Sequence, residues 1–322
     1  MKRLHFFAAL FGMFACASAT QATSLDLKGY ADDAGAISIQ HAGATIDPYF
    51  TLQALLLAHE HKLDISPYAQ KWANWMLARQ KPDATFDRFC RNGPVWAPCK
   101  TADADDSLLA LWLQFLETMP AELKRNVKWQ KSHAAASASL MRLVDPARGI
   151  YLVSPVYQHG LFMDNLEVWT YKPAHGAVQN GRHPNFGRAI HKTFWDEAGQ
   201  RFLVSTQPEQ KGTEHAFYPD AVAQIFPLLV KYTPIAGGER AYYREWMNRH
   251  RSDWLKQVRH DFAWGLVAIV ALQQNDVESA QCWIERTSPY RHTVHWTVTD
   301  EVTLQILRAK LPPVTTDEKA CQ

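Results

Sequence analysis

Residues 261–272 read DFAWGLVAIVAL, an aspartate followed by eleven residues that carry no charge. A helix that is apolar on every side has to be buried on every side. The same form, an acid heading an apolar helix, recurs in DADDSLLALWLQFLETM (103–119), GLFMDNLEVWTY (160–171) and YPDAVAQIFPLL (218–229). Two further versions are DPYFTLQALLLAHEHK (47–62) and DEVTLQIL (300–307). Starting from Asp47, the heads Asp105, Asp164, Asp220, Asp261 and Asp300 follow at intervals of 58, 59, 56, 41 and 39 residues. More polar, amphipathic helices at 66–80, 124–143, 184–198, 239–258 and 276–287 fall between them.

A helix pair repeated at this period reads as stacked α-hairpins. The links repeat as well. DDAGAISIQ (32–40), DPARGIYLVS (145–154) and DEAGQRFLVS (196–205) are each an Asp-led turn followed by a short β-like run, and FDRFC (86–90) is a degenerate relative. The expected fold is therefore all-α, an (α/α)6 toroid of about eleven helices. Six apolar inner helices run in one direction, five outer helices wrap them, and the short β-like hairpin segments lie in the loops at one end. An open α-solenoid of the same units is the alternative.

The first 22 residues fall outside that pattern. MKRLHFFAALFGMFACASATQA has basic Lys2 and Arg3, an apolar run from Phe6 to Ala15, and small residues that suit cleavage near 19–22. The run is too short for a permanent membrane anchor, and no later stretch suits one. The expectation is a signal peptide at 1–22, one catalytic domain at 23–322, and a periplasmic or secreted chain that acts as a monomer. Loss of Lys2 and Arg3 leaves 32 basic residues against 32 acidic ones. A balanced surface of that kind argues against nucleic acid as partner.

Four cysteines remain: Cys90, Cys99, Cys282 and Cys321. An even number in an exported chain reads as disulfides. Cys90 and Cys99 bracket the turn-rich RNGPVWAP, and Cys282 with Cys321 would pin the C-terminal tail; the other two connectivities stay open. No CxxC or paired-His spacing suggests zinc, and the chain has no Walker loop, GxGxxG, HExxH or Gly-x-Ser-x-Gly. No metal or cofactor is expected.

Parallel inner helices would bring all the acidic heads to one mouth. One capping Asp is ordinary, but several around one cleft repel each other and separate in pKa. Glycoside hydrolysis needs such a pair, one carboxyl protonated and one ionised. The candidates are Asp47, Asp105, Asp164 and Glu167, although Asp47 before a proline also reads as a helix cap. Asp164 and Glu167 share one side of a first helical turn, walled by Phe162, Met163, Leu166 and Trp169. Sugars stack on aromatic rings, and Tyr49, Trp96, Trp169, Tyr218 and Trp264 fall near the predicted mouth. His41, Asp103 and Asp220 complete the expected substrate-binding set. His41 and His215 would suit a β-elimination, and the polar loop 174–188 could cover the mouth.

TADADDSLLALWLQFLE (101–117), FYPDAVAQIFPLL (217–229) and DFAWGLVAIVAL (261–272) resemble inner helices of the six-hairpin glycosidase superfamily. Its family-eight glycoside hydrolases, bacterial cellulases and chitosanases, carry a related Asp-Ala-Asp segment. In those enzymes a Glu in a Ser-Glu-Gly context near the first inner helix is the general acid. Here GATIDPYF (43–50) stands in that place. The resemblance implies Asp47 as acid, Asp105 as a sugar-binding residue, and Asp164 or Glu167 as base. The expected function is a glycoside hydrolase acting on a polysaccharide. A toroidal polysaccharide lyase and a non-catalytic sugar-binding scaffold of an exopolysaccharide system are the alternatives.

Overall fold

The structure, a computed structural model, describes residues 23–171, 185–210, 216–232, 237–312 and 321. The expected signal peptide, His215 and most of the polar loop at 174–188 lie outside the described residues. Among those described are twelve α-helices. These are α1 (Pro48–Glu60), α2 (Ser66–Leu77), α3 (Asp105–Thr118), α4 (Ala121–Lys124), α5 (Val127–Arg142) and α6 (Phe162–Thr170). They continue as α7 (Phe186–Phe194), α8 (Val222–Leu229), α9 (Glu239–Trp254), α10 (Gly265–Gln273), α11 (Val277–Thr287) and α12 (Val298–Lys310). Eleven match the segments predicted from periodicity. The addition is α4, a single turn that Pro120 separates from α3.

Local chemistry explains the boundaries. Asp47 caps α1, accepting the Tyr49 amide at 3.1 Å, with Pro48 supplying the preset first turn. Thr297 and Asp300 form a reciprocal capping box on α12. Asp276 caps α11 through the Ser279 amide. The helix predicted at 184–198 stops at Phe194 because the chain turns into a two-stranded hairpin, β4 (Trp195–Asp196) with β5 (Arg201–Phe202).

Packing follows the apolar alternation. α1 packs on α3, α3 on α6, α6 on α8, α8 on α10 and α10 on α12, and α12 returns to α1. The six apolar helices thus contact one another in a closed order. Outside them, α5 lies on α3, α7 on α6, α9 on α8 and α11 on α10, while α2 meets α5. In α10, Val267 to Ala271 are all buried, whereas α9 buries only Tyr243, Trp246, Met247 and Trp254. Buried apolar residues from the chain's first described turn to α12 join in one cluster.

The segment around Cys90 departs from expectation. RNGPVWAP is no simple loop: β2 (Asp87–Asn92) and β3 (Val95–Thr101) form a hairpin turning at Gly93-Pro94, and β1 (Thr45–Ile46) pairs with β2 on its other side. Gly93 has φ +60°, the left-handed geometry that tight hairpin turns need. Both expected disulfides are present, Cys90–Cys99 across the hairpin and Cys282–Cys321 from α11 to the tail. No helix among the described residues is long and apolar enough to cross a membrane.

Candidate active site

The N-terminal ends of α1, α3, α6, α8, α10 and α12 surround one cleft of about 280 Å³. Tyr49, Asp103, Asp164, Val222, Gly265 and Thr299 line it, one from each helix start. Among the described residues its carboxylates are Asp47, Asp103, Asp164, Asp261 and Asp300, and its single cation is Arg88.

These acids are not equivalent. Asp300 is committed to structure: it receives the Thr297 amide and hydroxyl at 2.9 and 2.7 Å, and the Gly265 amide at 2.8 Å, tying α12 to α10. Asp261 accepts the indole N–H of Trp264 at 3.0 Å. Asp47 is buried and paired with Arg88 at 2.7 Å; burial raises its pKa, and the Arg88 charge opposes that rise. Asp103 leaves 85% of its side chain exposed and touches Arg88 at 3.4 Å. Asp164 differs from all of them. Its Oδ2 is buried without a hydrogen-bond partner, and its pKa is pushed up to about 7, first by desolvation and then by the negative charge of Asp103. A carboxyl of this kind keeps its proton close to neutral pH.

Behind Asp164 lie two deeper acids. Glu167 accepts a hydrogen bond from the Tyr49 hydroxyl at 2.6 Å, and Gln53 donates to that hydroxyl at 2.9 Å. Asp106 is fully buried. Desolvation raises the pKa of both well above the carboxylate range, and the charge of Asp164 raises each further. Glu167 Oε2 and Asp106 Oδ2 are buried without partners. Their burial favours the protonated form, against the hydrogen bonds that Tyr49 and Gln53 give to Glu167.

Of the six described aromatic residues that line the cleft, two stack on each other at its mouth. Tyr218 and Trp264 stack on each other with centroids 4.9 Å apart, and Tyr218 is 51% exposed. Trp264 sits at φ +53°, strained for a non-glycine residue, as the residue before α10.

The expected residues distribute unevenly over this geometry. Asp47, Tyr49, Asp103, Asp164, Tyr218 and Trp264 line the cleft. Glu167 does not line the cleft, but contacts cleft-lining Tyr49 and Gln53. Asp105, whose pKa burial raises to about 6, has Lys81, Asp83 and Asp87 as its charged neighbours, none of which lines the cleft. Trp96 packs in the hairpin, donating to Asp32 at 2.9 Å under the Arg91 guanidinium. His41 stacks on His292 at 4.0 Å, away from the cleft-lining residues. Trp169 is at the far end of α6 from Asp164, against Tyr232 and Phe186. Asp220 accepts the Ala216 amide at 3.1 Å and lines a separate hollow with Arg201 and Trp246.

Sequence reading did not single out Arg88 or Gln53, and took Asp106 only together with Asp103 and Asp105 as heads of one helix. Arg88 lay in the degenerate FDRFC, and only strand pairing brings it to Asp47. Asp106 heads a helix that is apolar all round, so helical period could not choose it over Asp105.

No family model matches the chain, and no curated protein matches it. A solved structure of a novel alpha-amylase from Clostridium perfringens is similar in fold, with a TM-score of 0.58. The likeness covers 88% of this chain and 95% of that one at 9% identity, so it bears on fold alone.

Proposed function

We propose that the chain is an exported glycoside hydrolase with an (α/α)6 toroid, cleaving a polysaccharide by carboxylate acid–base catalysis. The closed order of six helix contacts supports the toroid, and the likeness to an alpha-amylase structure is in keeping with a glycosidase. The observation that carries the activity is the pairing of two unlike carboxyls in one cleft. Asp164 is desolvated and holds its proton near neutral pH, while Asp103 is solvated, beside Arg88, and close enough to raise the Asp164 pKa. A desolvated carboxyl that keeps its proton near neutral pH, facing a solvated carboxylate across a cleft, is the arrangement that an acid and a base need.

In this reading Asp164 gives its proton to the glycosidic oxygen as the bond to the anomeric carbon breaks. Asp103 takes a proton from the water that attacks that carbon. Tyr218 and Trp264 stack against sugar rings flanking the scissile bond. The lyase reading is weaker, because the cleft's one cation among the described residues already holds two aspartates. A uronate carboxylate would meet uncompensated negative charge there.

The test is reducing-end release from a panel that includes starch and β-linked glucans. Asp164→Asn and Asp103→Asn should each lower kcat by about 100-fold or more, and Asp105→Asn by far less. Full turnover in both cleft variants would overturn the assignment. Products absorbing as unsaturated uronates would identify a lyase, and binding without turnover a scaffold.

A further inference from the structure

The cleft's single cation among the described residues comes from a strand, not from a helix start. In the three-stranded sheet, β1 runs directly into Asp47 and β3 ends at Thr101, two residues before Asp103. The strand between them, β2, carries Arg88. One sheet therefore delivers both acids and the cation that joins them.

The sheet is also irregular at this residue. Arg88 pairs with Lys100 and Phe89 with Pro98, so the register slips by one and Cys99 has no cross-strand partner. That extra residue is bonded to Cys90. A bulge re-aims the side chains beside it, and bulges concentrate next to active sites. Here the side chain beside the bulge is Arg88, with Nε 2.7 Å from Asp47 Oδ2 and Nη2 3.4 Å from Asp103 Oδ2.

We propose that Arg88 is the positioning residue of this site, its guanidinium bridging Asp47 and Asp103 so that the latter faces the cleft as the base. The role of Asp103 rests on the hydrolase reading above; the bridge itself does not. A planar fork can bond two carboxylates at once, and a lysine ammonium on a flexible stem holds such geometry poorly. Without the bridge, Asp103, with 85% of its side chain exposed, has no described contact to fix its direction. Asp47 would stay buried with only the Tyr49 amide as partner.

Arg88→Met and Arg88→Lys test this in the full chain, with thermal unfolding to establish that each variant folds. Carbon-13 NMR titration of the aspartate carboxyls reads the bridge without needing turnover. The Asp47 carboxyl, whose pKa the Arg88 charge lowers, should titrate at higher pH in Arg88→Met than in the native chain, and Arg88→Lys should restore most of that change. Kinetically, Arg88→Met should lower kcat about 100-fold with KM changed less than about threefold, and should move the acid limb of kcat/KM upward. Arg88→Lys should recover the limb but only part of kcat. Unchanged carboxyl titrations in Arg88→Met would overturn the proposal, as would native kcat and pH profile. If Arg88→Met does not fold, equal titration curves in Arg88→Lys and native chain with native kcat would overturn it, and a kcat lowered at an unshifted limb would support it. Full activity in Asp103→Asn with altered titrations in Arg88→Met would refute the catalytic reading and leave the bridge standing.

Discussion

Replacing Asp164 with Asn should make the folded chain more stable at alkaline pH while removing its activity. The native carboxyl has a folded pKa of about 7 against an ordinary 3.8. Below pH 3.8 it is protonated in both folded and unfolded chains, so its titration costs nothing. Between 3.8 and 7 the unfolded chain releases the proton and the folded chain retains it, and stability falls as pH rises. Above 7 both states are ionised and the whole penalty is present. At about 1.4 kcal/mol for each tenfold difference in proton affinity, the gap corresponds to about 4 kcal/mol. Water entering through the cleft reduces this, so the expected gain is about 2–4 kcal/mol. Asparagine does not ionise and escapes the penalty. Guanidinium unfolding of native and Asp164→Asn chains from pH 4 to pH 9 reads the difference directly. The two stabilities should be offset by a constant at pH 4 and diverge in favour of the variant by pH 8. A pH-independent offset would refute the claim that Asp164 holds its proton near neutrality, and with it the acid role. Stabilisation together with inactivity is the pattern expected of a group whose strain serves function.

Three other outcomes follow from the geometry. Trp264→Ala removes the ring on which Tyr218 stacks, and should raise KM for a long oligosaccharide about tenfold while affecting kcat less. Replacing Cys282 and Cys321 with Ser opens a closure 39 residues long, and should cost about 2–4 kcal/mol in guanidinium unfolding with kcat near native, since neither residue lines the cleft. Gly265→Ala would place a methyl 2.8 Å from Thr303 Oγ1 and 3.0 Å from Asp300 Oδ1, and a loss of about 1–3 kcal/mol should appear as a lowered unfolding midpoint.

The sequence by itself determined the helices and their division of labour. DFAWGLVAIVAL had to be buried because its body has no polar side, DADDSLLALWLQFLETM had to bury all but a narrow polar edge at Gln114, Glu117 and Thr118, and α9 had to stay outside because most of its surface is charged. It also determined the acidic helix starts, since capping and apolar periodicity are written in windows of a dozen residues. Tertiary structure decided which acid faces the cleft. Asp103, Asp105 and Asp106 are neighbours in sequence, yet one is solvated at the mouth, one sits among Lys81, Asp83 and Asp87, and one is buried behind Asp164. The β2–β3 register, slipping at a bulge, decided that an arginine from FDRFC reaches Asp47. The bond from Tyr49 to Glu167 joins residues 118 positions apart. Contacts at that range depend on the packing of several helices and a sheet at once. No local pattern encodes them, because each side chain's partner is fixed by how distant helices pack against one another.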